Sequence, residues 1–466
     1  MGVENQNALY REMLPVWEMM DDICAGERVV KSKGTVYLPM IYACEDGCEN
    51  QNRYEAYKNR AVFYPIAKDT LNTNVGLAFA EDPNFAHDGL EFLKKDADGA
   101  GNSIYQINQM GLGSQLKYGR GGFFVDFPKT DGAVTKKDIE SGIRPFVVFY
   151  NAKQIINWRV KKINGMYKTS LVVLYEVSSQ VDPQDEFNEK VVETYRVLRL
   201  DEENHYCVQT HVKVDDKFTA SDIVYPTDSS GRKWNEIPFI AIGSKVNDFA
   251  IDEIPLEPVA SVNLAHYRNS AEYEQSLFYA GQIQPVITNL DETWRDWLHE
   301  NGFKLGSASA LMLPQGATFN YVQAQETSLP KQGMDDKLNY MQLLGARMTD
   351  RNEVAKTATQ SDNEQMTKHS VLSLCVANLN EAAEIYLKWV AKYIGFGDKA
   401  VFSIKQDFAV GKLTLEQLKY WQSEYASENI SAETYHEIKM NGKVPEIAYK
   451  DEQKRIQKQK LGIAED

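Results

Sequence analysis

From Met334 to about Arg351, the positions Leu338, Met341, Gly345 and Met348 fall on one narrow stripe of a helix. From about Asn363 to Ile394, Leu372, Val376, Leu379, Ala383, Tyr386, Val390 and Tyr393 recur at alternating four- and three-residue steps. That spacing predicts two helices packed lengthwise against neighbours. Between them Lys356-Thr357-Ala358-Thr359-Gln360 offers no apolar anchor, Pro or Gly, and Ser361-Asp362-Asn363-Glu364 fits a capping box for the second helix. Such a cap is worth about 1 kcal/mol. Pattern alone predicts a buried two-helix hairpin of an ordinary core. A third long helix opens at Glu257-Pro258, with Pro where its missing N–H does no harm, and runs to Ala280. Apolar and polar residues share nearly every face of it, an arrangement suited to a helix flanked by copies of itself. Between these helices the pattern predicts strands at Gln284 to Asn289, Ala310 to Leu313 and Thr318 to Gln323, and a short helix at Asp291 to Glu300.

Upstream, residues 7 to 24 form an amphipathic helix around Leu9, Met13, Trp17 and Met20, stopped by Gly26. A short extended piece, Val36 to Pro39, leads to a helix from Asn52 to Gly76 in which Pro65 predicts a kink. The run Asp96 to Asn102 has the look of a calcium loop, but its twelfth position is Ile107 or Gln109 rather than Glu, so it reads as a turn feeding a helix at Ser103. That helix ends at Tyr118-Gly119, and Gly121-Gly122 releases a strand through Phe127. Glycines that end a helix and open a strand do not make a phosphate cradle. Segments 145–150, 154–160, 167–177, 191–200 and 206–214 are β-branched and aromatic and predict an antiparallel meander, with Asn164-Gly165 as a tight hairpin turn. Residues 215–233 read as a polar loop, and 237–242 return to strand. A strand at Val401 to Lys405 follows, then helices from Thr414 and from Ile430. The last fifteen or so residues read as a charged, frayed tail. These elements predict an α+β chain of two or three domains.

Composition narrows the function. Hydrophobic residues make up 43% of the 466 positions, enough for real cores. A formal net charge of −15 argues against a protein that grips nucleic acid, because neutralising phosphate needs clustered Lys and Arg. It leaves room for one that nucleic acid slides past. The five cysteines, at 24, 44, 48, 207 and 375, are odd in number and scattered, which predicts reduced thiols in an intracellular setting. Cys44 and Cys48 lack partners at zinc spacing and read as structural. Charged residues from Glu4 to Asp22 interrupt any secretory run, and no stretch nears the roughly 20 apolar residues of a membrane span, so a soluble chain is expected. Seven histidines, at 87, 205, 211, 266, 299, 369 and 436, make no metal-binding pair; His266 and His369, in long helices, read as polar-face or subunit-contact residues. No G-x-S-x-G, H-E-x-x-H or Walker lysine is present. No catalytic residue, metal site or cofactor is therefore assigned.

A set of short segments in a fixed order adds a resemblance. They are Tyr37-Leu38-Pro39, Tyr54-x-x-Tyr57-x-x-Arg60-Ala61-x-Phe63, Gly119 to Pro128, Arg144-Pro145, Ile155 to Arg159, Ile237-Pro238-Phe239, Asn263 to Arg268, Ala358-Thr359-Gln360 and Ile430 to Thr434. On these the chain resembles the portal proteins of tailed bacteriophages, the head-to-tail connectors, particularly a group catalogued only as an uncharacterised phage domain. The resemblance implies a portal-like fold: a mixed α/β wing at 1–250, a first stem helix within 251–282 and a β-rich, clip-like excursion at 283–328. A second stem helix within 329–352, a tunnel loop and long kinked wing helix at 353–400, and a helical crown with charged tail at 401–466 complete it. The chain departs from larger portals in lacking a long C-terminal barrel.

The resemblance further implies a ring, usually a dodecamer, at one capsid vertex of the virion, assembled in the host bacterial cytoplasm without a membrane. Double-stranded DNA would be packaged and ejected through it without sequence specificity. Its partners would be the major capsid protein or scaffold, the terminase large subunit and then a head-tail adaptor. Lys356, Thr357, Ala358, Thr359, Gln360 and Ser361 would form the tunnel loop of the DNA channel, with Lys356 either a sparse positive contact or a solvated helix end. Val262, Tyr267, Tyr273, Leu277, Leu338, Met341 and Met348 would pack the stem between subunits. Two alternatives stay open: another phage head or tail ring such as an adaptor, and a cytoplasmic hydrolase whose acidic site is assembled by the fold.

Overall fold

The structure is a computed structural model, and it describes residues 2–40, 48–128, 142–182, 185–214, 217–302, 313–324, 328–349, 370–406, 408, 415–441, 447 and 449–460. The chain divides into two compact units, Met1–Gln406 and Asp407–Asp466. Helices and several antiparallel sheets are mixed along it, an α+β architecture.

Helix α1 (Ala8–Ala25) begins where the Asn7 side chain accepts the Leu9 N–H and ends at Gly26, whose φ of 95° few other residues adopt. A short α2 (Glu27–Ser32) follows. Val36, expected to be extended, closes instead a 3-10 turn, Gly34–Val36. The expected single kinked helix is two, α3 (Cys48–Arg60) and α4 (Ile66–Ala78). Pro65 does not kink a continuous helix. It caps the second one, where its missing N–H costs nothing.

The Asp96 to Asn102 segment is a turn. Asp96 Oδ1 accepts the Gly99 and Gly101 N–H groups, and Asp98 Oδ1 those of Ala100 and Asn102. Both carboxylates thus serve the backbone. Ser103 and Gln106 make a reciprocal capping box for α5 (Ile104–Tyr118), and Gly119 ends it at φ 73°. β1 (Asn84–Ala86) lies upstream of that turn.

Two sheets share the stretch read as one meander. β2 (Arg120–Asp126) is the centre of a three-stranded antiparallel sheet, between β3 (Phe146–Asn151) and β9 (Phe239–Gly243). Segment 145–150, assigned from sequence to the meander, therefore belongs elsewhere. β2 is apolar on both faces and buried, which suits a central strand. The meander proper is β4 (Ile155–Ile163), β5 (Met166–Asp182), β6 (Asp185–Leu200), β7 (Tyr206–Val214) and β8 (Lys217–Ala220). β8 lies within the stretch expected to be loop and pairs with β7 from Val214↔Lys217 to His211↔Ala220. Asn164 and Gly165, both at positive φ (50° and 86°), join β4 to β5 as expected.

After β9 come α6 (Glu257–Ala280), β10 (Ile283–Thr288), α7 (Glu292–Asn301), β11 (Thr318–Gln323), α8 (Leu329–Thr349) and α9 (Val371–Ile394). All seven periodic positions of α9, from Leu372 to Tyr393, are buried. Each large one contributes about 1.5–3 kcal/mol by leaving water. They pack on α5 and the three-stranded sheet: the Tyr386 and Phe123 rings are 5.2 Å apart, and Asn108 donates to the Tyr386 hydroxyl at 2.7 Å. Ser370 caps α9 by accepting the Ser373 N–H, so the helix begins at Val371. The capping box expected at Ser361 to Glu364 lies outside the described residues. β12 (Val401–Ser403) pairs with β1.

The second unit contains α10 (Leu415–Ala426), α11 (Ala432–Asn441) and α12 (Tyr449–Lys460). The tail expected to fray is helical as far as Lys460. Its Glu452 accepts the Ser431 N–H and the Thr434 hydroxyl, both at 2.6 Å, while Arg455 bridges Glu433 and Glu437. Those side-chain caps at the start of α11 tie the two helices together.

Candidate functional site: two long helices and the excursion they carry

α6 leaves the body of the first unit and α8 returns to it, the two packed on each other. Between their ends β10 and β11 pair from Ile283↔Gln323 to Thr288↔Thr318, with α7 between these two strands in the chain. The Gln323 side chain donates to the Ala280 carbonyl, fastening the hairpin to the end of α6.

The first half of α6 is embedded. Val259, Ala260, Leu264, Tyr267 and Ala271 are buried, and so are the polar Asn263, His266 and Ser270. These polar residues serve the non-helical stretch 61–65 between α3 and α4. Asn263 Oδ1 accepts the Ala67 N–H (3.0 Å), and its Nδ2 donates to the Tyr64 carbonyl (2.8 Å). Ser270 Oγ donates to the Val62 carbonyl (2.6 Å) and accepts the Val62 N–H (2.9 Å). The His266 ring lies 4.9 Å from that of Tyr64. A buried backbone segment outside helix or sheet needs such partners. The mixed faces of α6, which the pattern tied to neighbouring copies, thus have a cause inside the chain.

His266 is correspondingly enclosed and is neither on a polar outer face nor at a subunit contact. Burial lowers its pKa, the Lys337 charge on α8 lowers it further, and Asp335 opposes them. His369 lies outside the described residues.

The second half of α6 emerges. No residue from Glu272 to Tyr279 is buried, and Leu277, Phe278 and Tyr279 are 42%, 41% and 54% exposed. Arg60, at the end of α3, donates to Gln275 at 2.6 Å and lies 4.1 Å from the Phe278 ring centroid, tying this half of α6 to α3. Ile283, Tyr321 and Val322 on the hairpin and Leu329, Tyr340 and Leu343 on α8 extend the exposed apolar surface. Exposed apolar side chains grouped at the outer end of α6 and on the hairpin are candidates for a contact surface.

α8 shows a buried stripe at seven-residue spacing, Met334, Met341 and Met348. It packs on α6, α4 and α9, and Gly345 approaches Thr70 of α4 closely, where a Cβ would sit 3.4 Å from the Thr70 methyl. Of the seven residues assigned to packing between subunits, Tyr267, Met341 and Met348 are therefore interior to their own chain. Val262, Tyr273 and Leu338 are half-buried, and Leu277 is exposed. Lys356, Thr357, Ala358, Thr359, Gln360 and Ser361 lie outside the described residues. Sequence reasoning missed Phe278, Tyr279, Tyr321 and Val322 as surface; a helix whose apolar residues lose their stripe in its last two turns was the available signal.

Among the described residues no group of three or more His, Cys, Asp or Glu could hold a metal, and no helix is long and apolar enough to cross a membrane. Cys24, Cys207 and Cys375 are free and buried, and burial pushes the Cys375 thiol up to about 12.

The model of a family described as a domain of unknown function, DUF4055, matches residues 255–394, the span from the foot of α6 to the end of α9. No curated protein matches the chain. Among solved structures, the chain is similar to one from the neck of an empty gene transfer agent particle computed with C6 symmetry (11% identity, TM-score 0.39, covering 83% of this chain and 92% of that one). It is also similar to a chain of the virion of a native gene transfer agent particle (10%, 0.38, 88% and 94%) and to one from the neck of the native particle computed with C12 symmetry (11%, 0.40, 82% and 90%).

Proposed function

We propose that the chain is a structural ring subunit of a tailed-phage-like particle, the portal at the capsid vertex through which double-stranded DNA is packaged and ejected. The observation that carries this reading is the pair α6 and α8. Each is embedded in the body at one end, together they bear a β excursion, and exposed apolar side chains on the outer half of α6 and on the hairpin are available to a neighbour. Repeated around a rotation axis, such surfaces give heterologous contacts that close. The portal resemblance of the sequence gives the ring its place, its partners and its DNA.

The net charge of −15 fits a conduit. Duplex DNA carries one charge per about 1.7 Å, and a basic channel would hold it. We place residues 356–361 at the channel as an uncharged loop apart from Lys356, and the partners as capsid protein or scaffold, terminase and a head-tail adaptor. The reading is one of structure and contact, with no reaction assigned.

Negative-stain imaging and mass photometry of the purified chain test it, alone and with capsid components. Rings with a central hole and a mass near twelve subunits are expected. A monomer under every condition ends the portal reading, and rings found only below an already formed portal favour the adaptor alternative. Replacing Thr357 to Ser361 with Gly and Ser should leave folding unchanged and impair DNA packaging or retention. Unimpaired packaging removes the role of the loop.

A further inference from the structure

The β5–β6 ribbon outruns its sheet. The two strands stay paired from Leu171↔Arg199 to Asp182↔Asp185. β4, however, pairs with β5 only as far as Leu174, and β7 pairs with β6 only from Glu193 onward. The outer edges of 175–182 and 185–192 thus pair with no described strand. The register sets Val177 opposite Glu193, Ser179 opposite Val191 and Val181 opposite Glu189, which puts Val177, Val181 and Val191 on one face. They are 58%, 57% and 68% exposed, and Phe187 near the tip is 88% exposed. A two-stranded ribbon with open edges that exposes valines among Ser179, Glu189 and Glu193 is marginal alone and invites pairing.

The opposite end of β5 offers the complement. Around the Asn164-Gly165 turn, Val160, Met166 and Tyr167 are exposed on the edge of the sheet. Beside them lies a cavity of about 400 Å³, large in volume compared with an aromatic side chain, lined by Val160, Tyr167, Ile237, Phe249 and Trp389 with Lys168, Glu236 and Asp248 also on its wall. Charge separates the two ends. Residues 159–168 carry Arg159, Lys161, Lys162 and Lys168 and no acid, whereas 176–193 carry acids at 176, 182, 185, 186, 189 and 193 against Lys190 alone. β5 runs sixteen residue steps from one end to the other, roughly 50 Å at the usual strand rise. One chain cannot bring its own two ends together.

We propose that the paired strand ends 175–182 and 185–193 form an assembly arm that seats on the 159–168 end of the sheet in a second copy of this chain, with Phe187 entering the cavity. The contact is head-to-tail, the heterologous kind that closes into a ring when the rotation allows. It rests on the ring reading and names one of its contacts.

The test uses the full chain, as an equal mixture of ¹⁴N- and ¹⁵N-labelled protein. A zero-length carbodiimide joins carboxylates to amines in contact, and mass spectrometry reads the joined peptides. Cross-links between chains from Asp185 or Glu189 to Lys161, Lys162 or Lys168 are expected. Phe187→Asp should raise the concentration needed for assembly at least tenfold without moving the melting temperature, since the side chain is exposed. Glu189→Lys should weaken assembly, and Lys161→Glu with Lys162→Glu in the same chain should restore it. Rings that form equally well with Phe187→Asp and show no such cross-links overturn the arm and leave the ring reading standing. Open chains held by arm-to-turn cross-links, with no closed ring, support the arm and overturn the ring. A chain that stays monomeric without these cross-links, or an arm that cross-links only to a different protein, overturns the proposal.

Discussion

Asn263 and Ser270 sit on a long helix yet complete the hydrogen bonding of a different segment. Asn263→Ala leaves the Ala67 N–H and the Tyr64 carbonyl without their side-chain partners, at about 1–3 kcal/mol for each unsatisfied group. Denaturant unfolding should show a loss of at least 2 kcal/mol for this variant by that reckoning. A loss under about 0.5 kcal/mol, the scale of ordinary surface substitutions, would mean that the stretch 61–65 is held by something else. His266, beside them, makes the same packing sensitive to acid. Its folded pKa is lowered, so the unfolded chain takes up a proton near the ordinary value of about 6.5 while the folded chain resists until lower pH. Stability contributed by the neutral ring is complete above that value and declines as pH falls toward the folded pKa. His266→Gln should flatten the slope of stability against pH in that window, and an unchanged slope would assign the sensitivity elsewhere. Glu452 works in the carboxylate range. Burial raises its pKa, but hydrogen bonds from Thr434 and Ser431, with the Arg455 charge, outweigh burial and leave it lowered. The tie between α11 and α12 is therefore present at neutral pH and lost as pH drops through that lowered value. Glu452→Gln should remove this acid-dependent loss of helix signal.

At the scale of elements, legibility followed how local the cause was. α9 was readable because one face is buried along its whole length, so its period shows directly in Leu372 through Tyr393. The turn at Asn164-Gly165 and the capping box at Ser103 were readable because a few adjacent residues fix them. α6 misled because its buried polar residues answer to a segment about two hundred positions away. β3 was placed in the wrong sheet because its partner β2, itself paired with β9, is chosen by long-range packing rather than by alternation. The arm escaped notice because Asp182, Asp185, Asn188, Glu189 and Lys190 are types that strands disfavour and Ser178 to Gln180 carry no apolar signal, so the pattern ended one strand at 177 and began the next at 191. The division within α6 has its own readout. Amide exchange in the isolated chain should be slow at 259–271 and fast at 272–280, and assembly should slow the second stretch. Uniform protection before assembly would contradict the division.

Across the whole molecule, composition narrowed function without finding a site. The acidic balance argued against a nucleic-acid grip and no common active-site motif was found, and the family model spans 255–394, where the long helices lie. The candidate surface was only partly legible. Val262, Tyr273, Leu277 and Leu338 keep area to offer a neighbour, while Tyr267, Met341 and Met348 complete their own chain's core. Sequence periodicity finds residues that leave water and does not say whether their cover is the same chain or another. Charge-reversed arms and imaging of assemblies separate those two kinds of cover at the scale where the difference is made.

The embedded half of α6 also has a mechanical meaning. A rod held at one end and loaded at the other bends most at its support, and here the support is the set of hydrogen bonds that Asn263 and Ser270 make to residues 62–67. A load applied at the β10–β11 hairpin would reach the body along α6 through that anchorage and the buried Val259, Leu264 and Tyr267 beside it. On the portal reading, the force at which this anchorage opens would limit how hard a partner could pull while the body of the subunit stays folded.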